Sequence, residues 1–220
     1  MDGRMEISPE GLLKRFSHQE SFSLWKDKLS TPQLSDALKD LLDYSPVIPG
    51  IKPLKDEYKI LGKIITVQTS AYDWGTALDA IDLAEKGDIL FILTDGDDSA
   101  VWGELTSKTA QQKGIAGTVV YGAVRDVAAV KKLDYPVFTR SIVPNAGKPL
   151  GDGEVNVPLE YGGITINPGD VVLGDDCGVI LVPGELFREA IHKALEIKEG
   201  EKEIIERIEK GHSLSSIIRQ

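Results

Sequence analysis

The run Ile-Leu-Phe-Ile-Leu between Asp88 and Asp95 narrows the possible folds more than any other feature of the chain. A strand with one wet face alternates apolar and polar residues. This run does not alternate, so both of its faces must be covered, as in the parallel sheets of α/β proteins. The flanking segments fit that reading. ILGKIITVQTS (60–70) and IAGTVVYG (115–122) read as strands, while WGTALDAIDLAEKG (74–87) and GELTSKTAQQKG (103–114) read as helices ended by Gly87 and Gly114. The order β-α-β-α-β, with connections of this length, predicts right-handed crossovers in a parallel sheet.

On either side the pattern changes. Residues 9–30 predict one or two short helices, and Thr31-Pro32 ahead of QLSDALKDLL predicts a capped helix with proline in its first turn, so residues 1–45 form a helical N-terminal segment. From Tyr135 onward, PVFTRSIV, GEVNVPLEYGGITI, DVVLGD and GVILVP predict short strands in a second, more antiparallel sheet. Residues 183–220 predict a charged helical segment, and the whole of 1–220 reads as a single domain. The net charge of −10 lacks the Lys/Arg clusters that nucleic-acid or membrane binding requires, so the expected partners are small molecules or proteins. One cysteine and only strand-sized apolar runs lead to the expectation of a cytoplasmic protein.

In open α/β sheets ligands bind beyond the carboxyl ends of the strands, and two such ends carry chemistry here. After DILFILTD the chain passes through a glycine-containing loop and enters a helix at Trp102-Gly103-Glu104-Leu105-Thr106, where free amides and the helix dipole favour an anion; a plain helix start with Glu104 as a favourable first-turn acid also accounts for it. After GTVVYGAV come Arg125 and Asp126. Gly122 permits close backbone approach, Arg125 can clamp a pair of oxygens, and Asp126 can bind a hard divalent cation; the bland alternative is an N-terminal aspartate beside a solvated arginine. His18, His192 and His212 have no ligand-spaced partners and read as surface residues, and Cys177 reads as a strand-edge residue. Asp175 and Asp176 read first as turn formers and second as cation ligands.

These residues together resemble the RraA-like family, which includes 4-hydroxy-4-methyl-2-oxoglutarate aldolases, oxaloacetate decarboxylases and regulators of ribonuclease E activity. The resemblance rests on an acid, twenty intervening residues and Arg-Asp (Glu104 to Arg125-Asp126), with support from STPQLSDAL, from GTVVYGAVRDV running into YPVFTRS, and from VPLEYGGITINPGDVVLGDDCGVILVP. It implies a layered α/β/β/α swivelling-domain fold with mixed sheets, assembled as a homotrimer or homohexamer. It further implies a divalent-metal-dependent carbon–carbon lyase using Mg²⁺ or Mn²⁺, acting on a small α-keto mono- or dicarboxylic acid through a pyruvate-type enolate. The implied roles are Asp126 as metal ligand, Arg125 against the enolate oxygen and Glu104 as proton acceptor or water-orienting acid. The amides of Gly103, Leu105 and Thr106 would take the substrate carboxylate, and Lys148 a far carboxylate.

The chain also departs from the family pattern. Glu104 stands where many members carry Asp, and Val127, Ala128 and Ala129 follow Arg-Asp where aldolase members tend to place another acid. The family's polar substrate contact after the first strand falls at or beside Asp73-Trp74, where a tryptophan narrows or reshapes the pocket. These differences favour decarboxylation or another keto-acid lyase reaction over cleavage of the branched aldol. The alternative class is a non-catalytic regulator that inhibits an RNA-processing enzyme by docking. A phosphoryl-carrying swivelling domain would need a histidine in a glycine/serine loop, and none of the three histidines is so placed.

Overall fold

The computed structural model describes residues 18–219; the expected helical start at residues 9–17 lies outside them. The first elements are helices α1 (His18–Lys26) and α2 (Thr31–Leu42), with short strands β1 (Val47–Ile48) and β2 (Lys52–Pro53). The central repeat follows: β3 (Ile60–Thr69), α3 (Gly75–Leu83), β4 (Ile89–Thr94), β5 (Ala100–Trp102), α4 (Glu104–Lys113), β6 (Gly117–Val124), α5 (Val127–Leu133) and β7 (Val137–Ile142). Strands β8 (Glu154–Val155), β9 (Leu159–Tyr161), β10 (Ile164–Ile166), β11 (Val171–Asp175) and β12 (Gly178–Val182) lead into α6 (Phe187–Glu209) and α7 (Leu214–Ile218).

Ten strands form one mixed sheet in the order β1-β12-β11-β3-β4-β6-β7-β2, with β5 on β6 and β8 on β3. Strands β3, β4, β6 and β7 are parallel neighbours, and β4 is almost wholly buried, as its unbroken apolar run requires. Two expectations change. Strand β7 is parallel to β6 within the main sheet, because α5 supplies a twelve-residue crossover between Val124 and Val137, about the minimum length for a parallel return. The antiparallel pair β11–β12 is likewise not a separate sheet. Residues 60–63 of β3 pair with β11 while residues 64–69 pair with β4, so one strand carries both halves, and only the β9–β10 hairpin stands apart. Helix α3 stops at Leu83; Gly87 (φ 91°) makes the turn that follows rather than the helix end.

Two apolar cores result. One lies between the parallel strands and α3–α5, and the other joins α1, α2 and α6 to β11 and β12. In the second, the Phe22 and Phe187 rings meet edge-on at 5.1 Å, and Ala190, Ile191 and Ala194 of α6 are buried. The carboxylate of Asp175 fixes the start of α2. It accepts the Thr31 amide at 2.8 Å and the Thr31 hydroxyl at 2.6 Å, and it also takes the Cys177 amide at 3.0 Å. A helix amide that the chain's own Ser30 does not cap is thus satisfied from a strand end 144 residues away. Turn formation is therefore what Asp175 does here. Cys177 is exposed in that turn, its thiol pushed up by partial burial and by Asp176 and Asp175. No helix among the described residues is long and apolar enough to cross a membrane.

Replacing Asp175 with Ala leaves the buried amide and hydroxyl of Thr31, and the amide of Cys177, without their acceptor. The expected cost is on the order of 2–3 kcal/mol, read as a lower urea midpoint, and an unchanged midpoint would show that α2 is not held this way.

Candidate active site

The twenty residues between Glu104 and Arg125 are α4 and β6, and their return path brings both ends of the motif together. Strand β5 runs parallel to β6 at Ala100–Ala123 and Trp102–Val124, and the Arg125 amide donates to the Trp102 carbonyl at 2.9 Å. Strand β5 takes the place of part of the expected loop, and the apolar triplet Ala100-Val101-Trp102, wholly buried, is its signal in the sequence. Gly103 begins α4 with extended backbone. A Cβ there would lie 2.7 Å from Asp126 Oδ2 and 3.2 Å from Arg125 Cγ, so close approach to these two side chains, not backbone freedom, requires the glycine. At Gly122 a Cβ would collide with the Thr94 hydroxyl, which donates to the Tyr121 carbonyl, so the expected close approach occurs there too.

Asp126 has left-handed backbone (φ 56°), which aspartate tolerates better than most residues, and it starts α5. Its Oδ2 lies 3.5 Å from Arg125 Nε and accepts the Glu104 amide at 3.3 Å. Both side chains are about two-fifths exposed, so this ion pair adds little to stability; its effect is orientation. Of the first α4 amides, that of Gly103 is occupied, donating to the Thr106 hydroxyl at 2.9 Å, while the same hydroxyl donates to the Gly103 carbonyl at 3.0 Å. Gly103 therefore shapes the site without offering a donor. Leu105 and Thr106 lie in the first turn of the helix, where the amides have no intrahelical acceptor.

Glu104, Arg125 and Asp126 line a single open cleft with Gly103, Leu105 and Thr106. Its remaining wall is Trp74, Ala100, Val101, Trp102 and Ala146. Trp74 does shape the pocket, as expected from the sequence. Asp73 does not reach it: that residue is 2% exposed, and its carboxylate accepts the amides of Gly75, Leu150, Gly151 and Asp152 at 2.7–3.0 Å and the Thr76 hydroxyl at 2.7 Å. Asp73 thereby ties the 146–153 loop to the start of α3. Burial pushes its carboxyl up, but the hydrogen bonds from Gly151, Thr76, Gly75 and Asp152 outweigh this and hold it well below the usual carboxylate range. Lys148 sits on the same rim. Its amide donates to the Tyr72 carbonyl and its carbonyl accepts the Trp74 amide, but the residue is exposed and contributes nothing to the cleft lining.

The other candidates remain apart. His192 and His212 are exposed, and the His18 side chain lies outside the described residues. The ligand atoms of Asp175, Asp176 and Cys177 lie within 4.8 Å of one another, but the Asp175 oxygens are occupied by Thr31 and Cys177.

A sequence model of the RraA-like family, described as Aldolase/RraA, matches residues 31–181. Protein MJ0644 of Methanocaldococcus jannaschii is 41% identical over 192 residues, covering 86% of this chain and 89% of its own. A Halalkalibacterium halodurans protein named "Putative 4-hydroxy-4-methyl-2-oxoglutarate aldolase" is 37% identical over 167 residues, covering 76% and 78%. Among solved structures, a Pseudomonas syringae pv. tomato protein of unassigned function superposes with a TM-score of 0.80 at 31% identity, covering 91% of this chain and 95% of its own. The RNA-processing inhibitor RraA of a Thermus species superposes with a TM-score of 0.59 at 27% identity, covering 68% and 92%.

Because the Asp73 carboxyl is depressed in the folded protein, its contribution is complete above the unfolded value near pH 4 and is lost as pH falls below it. Asp73→Asn should cost about 3 kcal/mol at pH 7. The gap to the parent should narrow as pH drops from about 4 towards 2. Urea unfolding at pH 7 and pH 3 checks this, and a pH-independent gap would contradict it.

Proposed function

From membership of the RraA-like family, to which the chain belongs, we propose that it is a divalent-metal-dependent carbon–carbon lyase acting on a small α-keto acid. The observation that carries the reading is the meeting of Arg125, Asp126 and the α4 amino end in one cleft, with Gly103 keeping the space between them free of a Cβ. Asp126 suits a hard cation: it presents a half-exposed carboxylate whose Oδ1 has no partner among the described residues, and Mg²⁺ takes only one or two carboxylates beside water. When bound there, Mg²⁺ or Mn²⁺ would supply Lewis acidity to the carboxylate and keto oxygens of the substrate.

The chain's own residues do the rest. The Leu105 and Thr106 amides hold the carboxylate, aided by the helix dipole. Arg125, oriented through Nε by Asp126, turns its two terminal nitrogens to the keto oxygen, on which negative charge grows as the carbon–carbon bond breaks. Glu104 projects from the first turn of α4 and exchanges the proton, either at the substrate or through a water. Departure of carbon dioxide or of a carbonyl fragment leaves the same enolate, so decarboxylase and aldolase chemistry share this apparatus. The proposal extends to a homotrimer or homohexamer; a dilution-stable monomer in light scattering would remove that part.

A second reading, a docking inhibitor of an RNA-processing enzyme, draws on the name of the Thermus relative, and the net charge of −10 suits a basic partner. Pyruvate release from oxaloacetate with and without Mg²⁺ or Mn²⁺ separates the two, since the docking reading predicts none above background.

In such an assay Arg125→Ala should lower kcat by roughly a hundredfold to a thousandfold, the usual loss for one preorganised donor. Arg125→Lys should lose less, and in both variants kcat should fall more than KM rises. Asp126→Asn should fold like the parent and lose metal-dependent turnover. A kcat change below about threefold in Arg125→Ala would remove the arginine from the mechanism.

A further inference from the structure

Beside the charged residues, the cleft is lined by the apolar Trp74, Ala100, Val101, Leu105 and Ala146. Leu105 is the most exposed large apolar side chain among the described residues, at 77%, and it sits on the first turn of α4. Trp74, at the start of α3, lines the same cleft. Among the described residues no second cation joins this lining. Lys148 is exposed and outside the lining. Arg140 lies in another cleft, stacked 4.9 Å from the Tyr121 ring, donating to the Tyr121 hydroxyl and paired with Asp97. Asp73, the polar residue next to Trp74, has its oxygens filled by four amides and a hydroxyl. Among the described residues Arg125 is thus the one cation lining the cleft, and in the lyase reading it is engaged at the reacting end.

Resting on the lyase reading above, we propose that the substrate's far end is apolar. The cleft takes a 4-hydroxy-2-oxo monocarboxylic acid with an alkyl or aryl group on C4, in place of a second carboxylate. A carboxylate set against Trp74, Leu105 and Ala146 loses water and gains no partner, whereas a hydrocarbon group gains contact area. The step balances without a redox partner. The C3–C4 bond breaks, and its electron pair passes to the three-carbon fragment as the enolate of pyruvate. The C4 hydroxyl gives up its proton and becomes the carbonyl of an aldehyde or ketone, and C3 takes a proton to complete pyruvate.

The test uses the full chain with Mg²⁺ or Mn²⁺ and follows pyruvate release from 4-hydroxy-2-oxohexanoate and from 4-hydroxy-2-oxoglutarate, which differ at the C4 end. The alkyl substrate should be preferred in kcat/KM by at least about tenfold. In calorimetric titration the unreactive 2-oxohexanoate should bind more tightly than 2-oxoglutarate. Trp74→Ala should reduce both preferences. Leu105→Lys, an exposed position that does not endanger folding, should shift them by about tenfold towards the dicarboxylates. Pyruvate release with equal or better use of the dicarboxylate would overturn the apolar-end assignment and leave the lyase reading standing. Absence of pyruvate from both substrates and from oxaloacetate would overturn both.

Discussion

The site depends on one short piece of backbone pairing. Where β5 lies against β6, ending in the bond from the Arg125 amide to the Trp102 carbonyl, the chain after one strand is brought alongside the chain after the other. Everything chemical follows from that juxtaposition: Gly103 beside Asp126, the Glu104 amide on the Asp126 carboxylate, and Arg125 held at its Nε. A spacing of twenty residues is the length of a helix and a returning strand, so the motif measures a path through the fold. A residue added within it would rotate α4 or shift the β6 register and separate the two ends.

Much of this could be read from the sequence, because it rests on local pattern. The doubly buried β4 strand, the glycine after α4, the proline in the first turn of α2 and the charged residues at the strand mouth all carry their signals within a few positions. What could not be read depends on distant partners. Strand β7 looks like any short edge strand until α5 is known to return it parallel. The capping of α2 by Asp175 spans 144 residues and leaves no local trace. Asp73 is the clearest case. A carboxylate after a strand reads as a pocket residue, and only the folded positions of Leu150, Gly151 and Asp152 show it to be a buried tie for the rim. The Thr106 hydroxyl likewise removes the Gly103 amide from the set of donors, a local bond that type and spacing do not announce.

The cleft also shows how a site is divided between rigid and adjustable parts. The end proposed to react is carried on strand ends and a helix start, which place Glu104, Arg125 and Asp126. The apolar lining combines Trp74, at a helix start, and Ala146, in a loop held by Asp73, with Leu105, whose side chain is largely free in solvent. In the proposed reading, chemistry that tolerates no displacement sits on the first and choice of substrate falls to the second, where one side chain can change without moving the sheet.

Strand β3 has a consequence for how the molecule comes apart. Its first four residues hydrogen-bond the antiparallel half and its last six the parallel half, with β8 alongside the far end. Neither half can shed this strand and remain a closed layer, and β11 and β12 bind the two cores together as well, with Val172, Val179 and Leu181 packed in the first and Val171, Leu173, Ile180 and Val182 in the second. The amides of β3 therefore belong to the slowest-exchanging class, opening only when the whole chain does, and hydrogen exchange would find one cooperative unit where the two cores alone would suggest a pair.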